Sequence, residues 1–214
     1  MLEARHLECT RGDRKLFSGL SFRLGRGQLL RVAGANGSGK TSLLRIMCGL
    51  LSPSAGELLW QGQSIRAERE EYCRNLIFIG HLNALKDDLT ACENLRTAAA
   101  LGGAAAGREQ ALAGLERFGV GHCAELPAKV LSQGQRRRVA LARLALSPAP
   151  PLWILDEPFS ALDVRAVSEL EGLLAGHVAS GGMVVLTTHQ EVQVVTQAVL
   201  RVDLDLHAAA LLAA

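Results

Sequence analysis

The chain has 214 residues, 49% of them apolar and 21% charged, the make-up of a globular chain large enough to bury a core without metals or disulfide staples. Its 23 basic and 21 acidic residues nearly cancel, so charge gives no case for a nucleic acid or an anionic lipid surface as partner. The five cysteines (Cys9, Cys48, Cys73, Cys92, Cys123) form no C-x-x-C pair and no zinc-type spacing, and they read as reduced thiols.

In chain order, Leu2-Glu3-Ala4-Arg5-His6 lacks the charged-then-apolar pattern of a leader. Residues 20–24 and Leu29–Ala33 have strand composition, with Gly25-Arg26-Gly27 as the turn between them. A glycine-rich loop over 34–39 precedes residues 41–50, whose apolar positions recur with helical spacing until Gly49 and Ser52-Pro53. Residues 57–60 and Leu76–Ile79 predict further strands. From about 91 to 147 the chain is rich in Ala, Leu, Glu and Arg with helical periodicity, and the Ala/Gly stretch 97–107 predicts a helix end and loop. Strands return at 152–155 and Met183–Thr187, with a helix over 164–177 between them. Such alternation predicts a mainly parallel sheet. The longest uncharged stretch, 144–155, is broken by Pro148, Pro150 and Pro151, so nothing approaches the roughly 20 apolar residues that span a bilayer.

Three motifs carry chemistry. Gly34-Ala35-Asn36-Gly37-Ser38-Gly39-Lys40-Thr41, followed by Ser42, is a complete G-x-x-x-x-G-K-T loop set between a strand and a helix. Its glycines let backbone N–H groups curl around phosphates, the helix start adds a positive dipole end, Lys40 neutralises the β/γ-phosphates and the Thr41 hydroxyl ligates Mg²⁺. The apolar strand at 152–155 ends in Asp156-Glu157, two acids with separate tasks. Asp156 would hold Mg²⁺ through its water shell, and Glu157 would polarise the water attacking the γ-phosphate. The third motif is Leu131-Ser132-Gln133-Gly134-Gln135 at the start of a basic helix over 136–146, whose Arg136-Arg137-Arg138 run reads as a solvated face.

At this third motif the chain resembles the ABC ATPases, whose signature is LSGGQ, with Gln133 in place of a glycine. The resemblance implies ATP and Mg²⁺ as ligands and a head-to-tail homodimer with two shared sites. Ser132, Gln133, Gly134 and Gln135 would reach the γ-phosphate bound by the other subunit. Ser160-Ala161-Leu162-Asp163 matches the family's D-loop, which brings Asp163 to the opposite site. His189 matches its switch histidine, acting with Glu157. The implied fold is α/β: a P-loop NTPase with an ABC-type nucleotide-binding domain over 1–214. A RecA-like core of 1–87 and 149–214 would combine a mainly parallel sheet with an N-terminal antiparallel sheet, and 88–148 would form an inserted helical subdomain bearing the signature.

Two stretches depart from the family. Where an aromatic normally stacks on adenine the chain has Thr10-Arg11-Gly12; Arg11 can offer its planar guanidinium, and Phe17 is the other candidate. The Q-loop stretch Ile79-Gly80-His81-Leu82-Asn83-Ala84-Leu85-Lys86 has no glutamine. Leu82 takes that place, with His81 and Asn83 as substitutes, and no metal ligand is assigned there.

Within the family, Leu16-Phe17-Ser18-Gly19-Leu20-Ser21-Phe22, the Gly80-His81 stretch, Leu89-Thr90-Ala91-Cys92-Glu93-Asn94-Leu95 and Thr187-Thr188-His189-Gln190 resemble the cytochrome c maturation ATPases. That resemblance implies a peripheral subunit on the cytoplasmic face of the bacterial inner membrane. It would work with a separate integral membrane subunit (CcmB-like) and further maturation proteins, and drive either haem export or release of a haem-loaded chaperone. An ABC transporter for a different substrate is the alternative. With no C-x-x-C-H, and only Gly121-His122-Cys123 near such a pattern, direct haem binding by this chain is not expected.

Overall fold

The computed structural model of the chain describes residues 1–103, 105–146, 150–188 and 199–209. The chain opens with a long hairpin, β1 (Leu2–Arg11) and β2 (Arg14–Leu24), turned by Gly12-Asp13. Sequence reading caught only the second half of β2 and none of β1. The reason is visible at His6, whose φ of 48° and the register shift between Ala4 and Leu7 interrupt the alternation that marks a strand. After β3 (Leu29–Ala33) and α1 (Lys40–Met47), β4 (Ala55–Trp60) and the short β5 (Gln63–Ser64) complete a four-stranded antiparallel sheet of order β2-β1-β4-β5.

Then follow α2 (Arg69–Arg74) and β6 (Leu76–Ile79), and next α3 (Ala91–Leu101), α4 (Arg108–Arg117) and α5 (Gln133–Ala142), with short 3₁₀ turns at 121–123, 128–130 and 143–145. The continuous helical period read over 91–147 is thus cut into three helices. The entry to this segment is pinned: Thr90 and Glu93 form a reciprocal cap on α3. Buried Asn94 accepts from the Lys86 N–H and donates to three loop carbonyls. β7 (Leu152–Asp156), α6 (Val164–Ala179), β8 (Met183–Thr187), β9 (Val199–Asp203) and α7 (Leu204–Ala209) close the chain.

The second sheet has five strands in the order β6-β7-β8-β3-β9, every pairing parallel. Its strands are apolar on both faces, as a covered parallel sheet requires. Leu152, Ile154, Met183 and Val185 join the core shared with the antiparallel sheet and α1. The alternate residues Trp153, Leu155, Val184 and Leu186 join the core on the other face. That second core runs without a break from α6 to Leu95, Leu115 and Leu141 of the helical segment. The carboxyl ends of β3, β7 and β8 meet at one edge, where parallel sheets place their ligands.

Candidate functional site

The loop leaving β3 turns into α1 through Gly39, which has φ +106°. A Cβ there would sit 3.1 Å from Leu16 and 3.2 Å from the Phe17 ring, so both the backbone conformation and the space demand glycine. Phe17 is fully buried behind the loop and is not among the residues lining the cleft, which removes it as a stacking partner. Arg11 lies instead in the wall of a cleft of about 350 Å³ whose other lining includes Asn36, Lys40, Thr41, Asp156 and Glu157. Lys40 Nζ donates to the carbonyls of Gly34 (2.8 Å) and Ala35 (3.1 Å), which folds the lysine over its own loop. The Ala35 N–H donates to the Asp205 carboxylate of α7 at 2.9 and 3.1 Å, a tether that nothing in the sequence pattern announced.

β8 lies between β3 and β7, so the phosphate-type loop and the Asp156-Glu157 pair face each other across one strand. Thr187, at the end of β8 and fully buried, ties the pair down. Its hydroxyl donates to Asp156 Oδ1 (2.8 Å) and accepts the Glu157 N–H (2.9 Å). The Thr41 hydroxyl donates to Asp156 Oδ2 at 2.9 Å, joining α1 to β7. Glu157 itself has φ +48°, a left-handed backbone that a residue with a Cβ adopts at a cost of about 1–2 kcal/mol. Its carbonyl accepts the N–H and the hydroxyl of Ser160 at 3.2 and 2.9 Å. The floor of the cleft is therefore built of hard oxygen donors, Thr41 Oγ1 and the Asp156 carboxylate, with the Glu157 carboxylate beside them. Such a set fits Mg²⁺, which takes one or two protein oxygens and fills its remaining positions from substrate phosphates and water.

Ser132 caps α5 in a reciprocal box: its Oγ accepts the Gln135 N–H (3.2 Å), and Gln135 Oε1 accepts the Ser132 N–H (2.8 Å). Ser132 and Gln133 are exposed. Gly134 packs so close that a Cβ would lie 3.2 Å from the Ala161 carbonyl, which draws the Ser132–Gln135 and Ser160–Asp163 stretches together. Asp163 caps α6 through the Ala166 N–H (2.8 Å) and pairs with Arg138 at 3.3 Å. His189 lies outside the described residues. Within one chain Asn36, Gly37, the 39–42 segment and the two acids line one cleft, with Gly34, Ala35 and Ser38 in the same loop outside its lining, while Ser132–Gln135 and Asp163 form a second cluster.

One sequence expectation is corrected. The run Arg136-Arg137-Arg138 is not a uniformly solvated face: Arg136 pairs with Asp87 and Arg138 with Asp163, but Arg137 is 3% exposed. Successive helical residues turn by about 100°, and Arg137 falls on the stripe of Ala140, Leu141 and Leu144, all buried. That i, i+3, i+4, i+7 spacing was the available signal. Burial presses its pKa down, while Asp156 and Glu157 pull it back.

The ABC transporter family model matches residues 17–160. The "Cytochrome c biogenesis ATP-binding export protein CcmA" of Dechloromonas aromatica (strain RCB) is 53% identical over 91% of this chain and 95% of its own length. The protein of the same name in Escherichia coli (strain K12) is 48% identical over 95% of this chain and 96% of its own. Among solved structures, the dimeric post-hydrolysis state of the ATP-binding cassette MJ0796 bound to ADP and Pi superposes with a TM-score of 0.76. It is 26% identical, covering 89% of this chain and 88% of that one.

Proposed function

The chain belongs to the ABC transporter family and, within it, to the cytochrome c biogenesis ATP-binding proteins, and from that premise we propose that it is the energy-coupling subunit of a membrane ABC complex in c-type cytochrome assembly. It binds and hydrolyses ATP, and the work done is haem export or release of a haem-loaded chaperone. The observation that carries the site assignment is the meeting of Lys40, Thr41, Asp156 and Glu157 in one cleft, with Thr41 and Asp156 in direct hydrogen bond.

The residue roles follow from that cleft. Residues 34–42 wrap the phosphates with backbone N–H groups, and Lys40 exchanges its loop carbonyls for β/γ-phosphate oxygens. Thr41, and Asp156 through the metal's water shell, would hold Mg²⁺, which would supply neutralisation of the phosphate charge. Glu157 orients a water in line with the γ-phosphate and takes its proton as the new P–O bond forms and the bond to the β-phosphate oxygen breaks, leaving ADP and phosphate. The capped end of α5, with Ser132 and Gly134, offers its N–H groups to the γ-phosphate of a second copy, Asp163 stands beside it, and His189 completes the site.

The working unit is a homodimer on the cytoplasmic face of the inner membrane, docked on a separate integral membrane subunit of the CcmB type. Among the described residues no helix is long and apolar enough to cross a membrane, and this reading gives the membrane anchor to that subunit. The core of 1–87 and 149–214 carries the phosphate loop and acids, and the helical subdomain 88–148 carries the signature.

The test is a host whose only copy carries Glu157→Gln. Loss of haem-stained c-type cytochromes, with the protein still at the membrane, is expected. Normal cytochromes would remove the maturation role, and unchanged ATP turnover in the purified variant would remove Glu157 as the base.

A further inference from the structure

Arg137 is a buried cation with no carboxylate bonded to it among the described residues. Nη1 donates to the Gly80 carbonyl (2.8 Å) and to Asn83 Oδ1 (3.3 Å). Nη2 donates to the carbonyls of Asp156 (2.9 Å) and Glu157 (2.8 Å). All four partners are neutral oxygens. Burying a guanidinium is expensive even with the Asp156 and Glu157 carboxylates near enough to favour its charge, and an apolar side chain would fill the same space more cheaply. Packing alone therefore does not account for it.

What the four bonds join is specific. One pair reaches the loop at 80–83, the stretch that lacks the family's glutamine. That loop lines a groove of about 510 Å³ with Thr41, Arg143 and Asp156, and exposes Leu82 at its rim. The other pair reaches the strained turn at Glu157. Its N–H is held by Thr187 and its carbonyl by Ser160, two anchors near the turn itself. Arg137 adds to this carbonyl a bond from α5, the helix that begins at Ser132. A shift of α5 or of the 80–83 loop is thus felt at the Glu157 backbone through one rigid, planar group.

We propose that Arg137 is the positioning residue that sets the backbone of Glu157 and makes it answer to both the signature helix and the 80–83 loop. This rests on the reading of Glu157 as the hydrolytic base. It assigns to a helix side chain the link that the loop, without a glutamine, does not supply itself.

The test uses the complete complex with its membrane subunit, comparing Arg137→Lys, Arg137→Met and Glu157→Gln. ATP turnover is measured beside the affinity for a fluorescent ATP analogue. Lysine keeps the charge but cannot bridge four acceptors in a plane, so both Arg137 variants are expected to lose about tenfold or more in kcat, with analogue affinity within about threefold of wild type. Normal turnover in folded Arg137→Lys, or a loss of affinity as large as the loss of kcat, overturns the proposal. An inactive Glu157→Gln beside an active Arg137→Lys would do so while leaving the base intact, and an active Glu157→Gln would remove both. If the buried variants fail to fold, Asn83→Ala at its partly exposed position decides. A fall of about two- to fivefold in turnover at unchanged affinity is expected there, and wild-type turnover refutes the clamp.

Discussion

Thr187→Val tests whether the hydroxyl between the two acids, and not the space it fills, holds the site. The substitution is nearly isosteric, and the side chain it replaces is fully buried. It removes the charge-assisted bond to Asp156 Oδ1, worth about 1.5–3 kcal/mol, and strands the Glu157 N–H, worth about 1–3 kcal/mol when left unsatisfied. The better β-propensity of valine returns under about 1 kcal/mol, so a net loss of about 1.5–6 kcal/mol is expected. With a urea slope of about 2–3 kcal/mol/M, the unfolding midpoint falls by about 0.5–3 M. Thr187→Ser is the control: it keeps both hydrogen bonds and gives up one methyl, about 1 kcal/mol. Turnover should fall in the valine variant and survive in the serine one. Equal stability and turnover for valine and serine would refute the reasoning, because the methyl would then matter as much as the hydroxyl.

Lys40→Ala removes a charge-assisted phosphate contact of about 1.5–3 kcal/mol, so the Kd for ATP measured by calorimetry should rise about ten- to a hundredfold; normal affinity would contradict the phosphate-loop reading. Arg11→Ala should weaken ATP by about two- to fivefold, the size of an exposed cation–π contact, and Arg11→Tyr should recover it; no change in either places the base elsewhere. His177 stacks on Trp153 with ring centroids 3.8 Å apart and planes 5° from parallel. Burial pushes its pKa below the ordinary 6.5, against the opposing pull of the Pro151 and Met183 backbone. The neutral form is thus favoured on folding, and its contribution to stability is complete above pH 6.5 and lost as pH falls from there through the folded pKa. Urea midpoints between pH 8 and 5 should decline less steeply in His177→Phe, and identical slopes would show that another group titrates.

How far the sequence carried depends on how local each determinant is. The phosphate loop and the paired acids were legible because one short segment contains both the motif and the strand or helix that presents it. The Ser132 cap carries an equally local signal, a serine with a glutamine three residues on, but from sequence only a helix start is placed there. What escaped joins distant segments: Thr187 with Asp156, Arg137 with Gly80, Ala35 with Asp205. No period or spacing encodes those pairs: Thr187 meets Asp156 through the pairing of β8 with β7, and Asp205 is brought to Ala35 by the pairing of β9 with β3. β1 escaped for a different reason, a bulge that shifts its alternation at His6. Arg137 lay between these cases. Its helical stripe was present in the sequence, but two neighbouring arginines masked it.

The cap on α5 also fixes the polarity of what that helix end can greet. Ser132 accepts the Gln135 N–H on one lone pair of its oxygen, so the hydroxyl is held at the helix end and its proton stays available for donation from an exposed position. A hydroxyl held in that sense is a donor before any partner arrives. It meets an oxyanion with the oxygen already placed, beside the N–H groups of the same helix end. Gln135→Ala would keep the bond to Ser132 Oγ, which the backbone N–H makes, and would strand only the Ser132 N–H that the glutamine side chain satisfies.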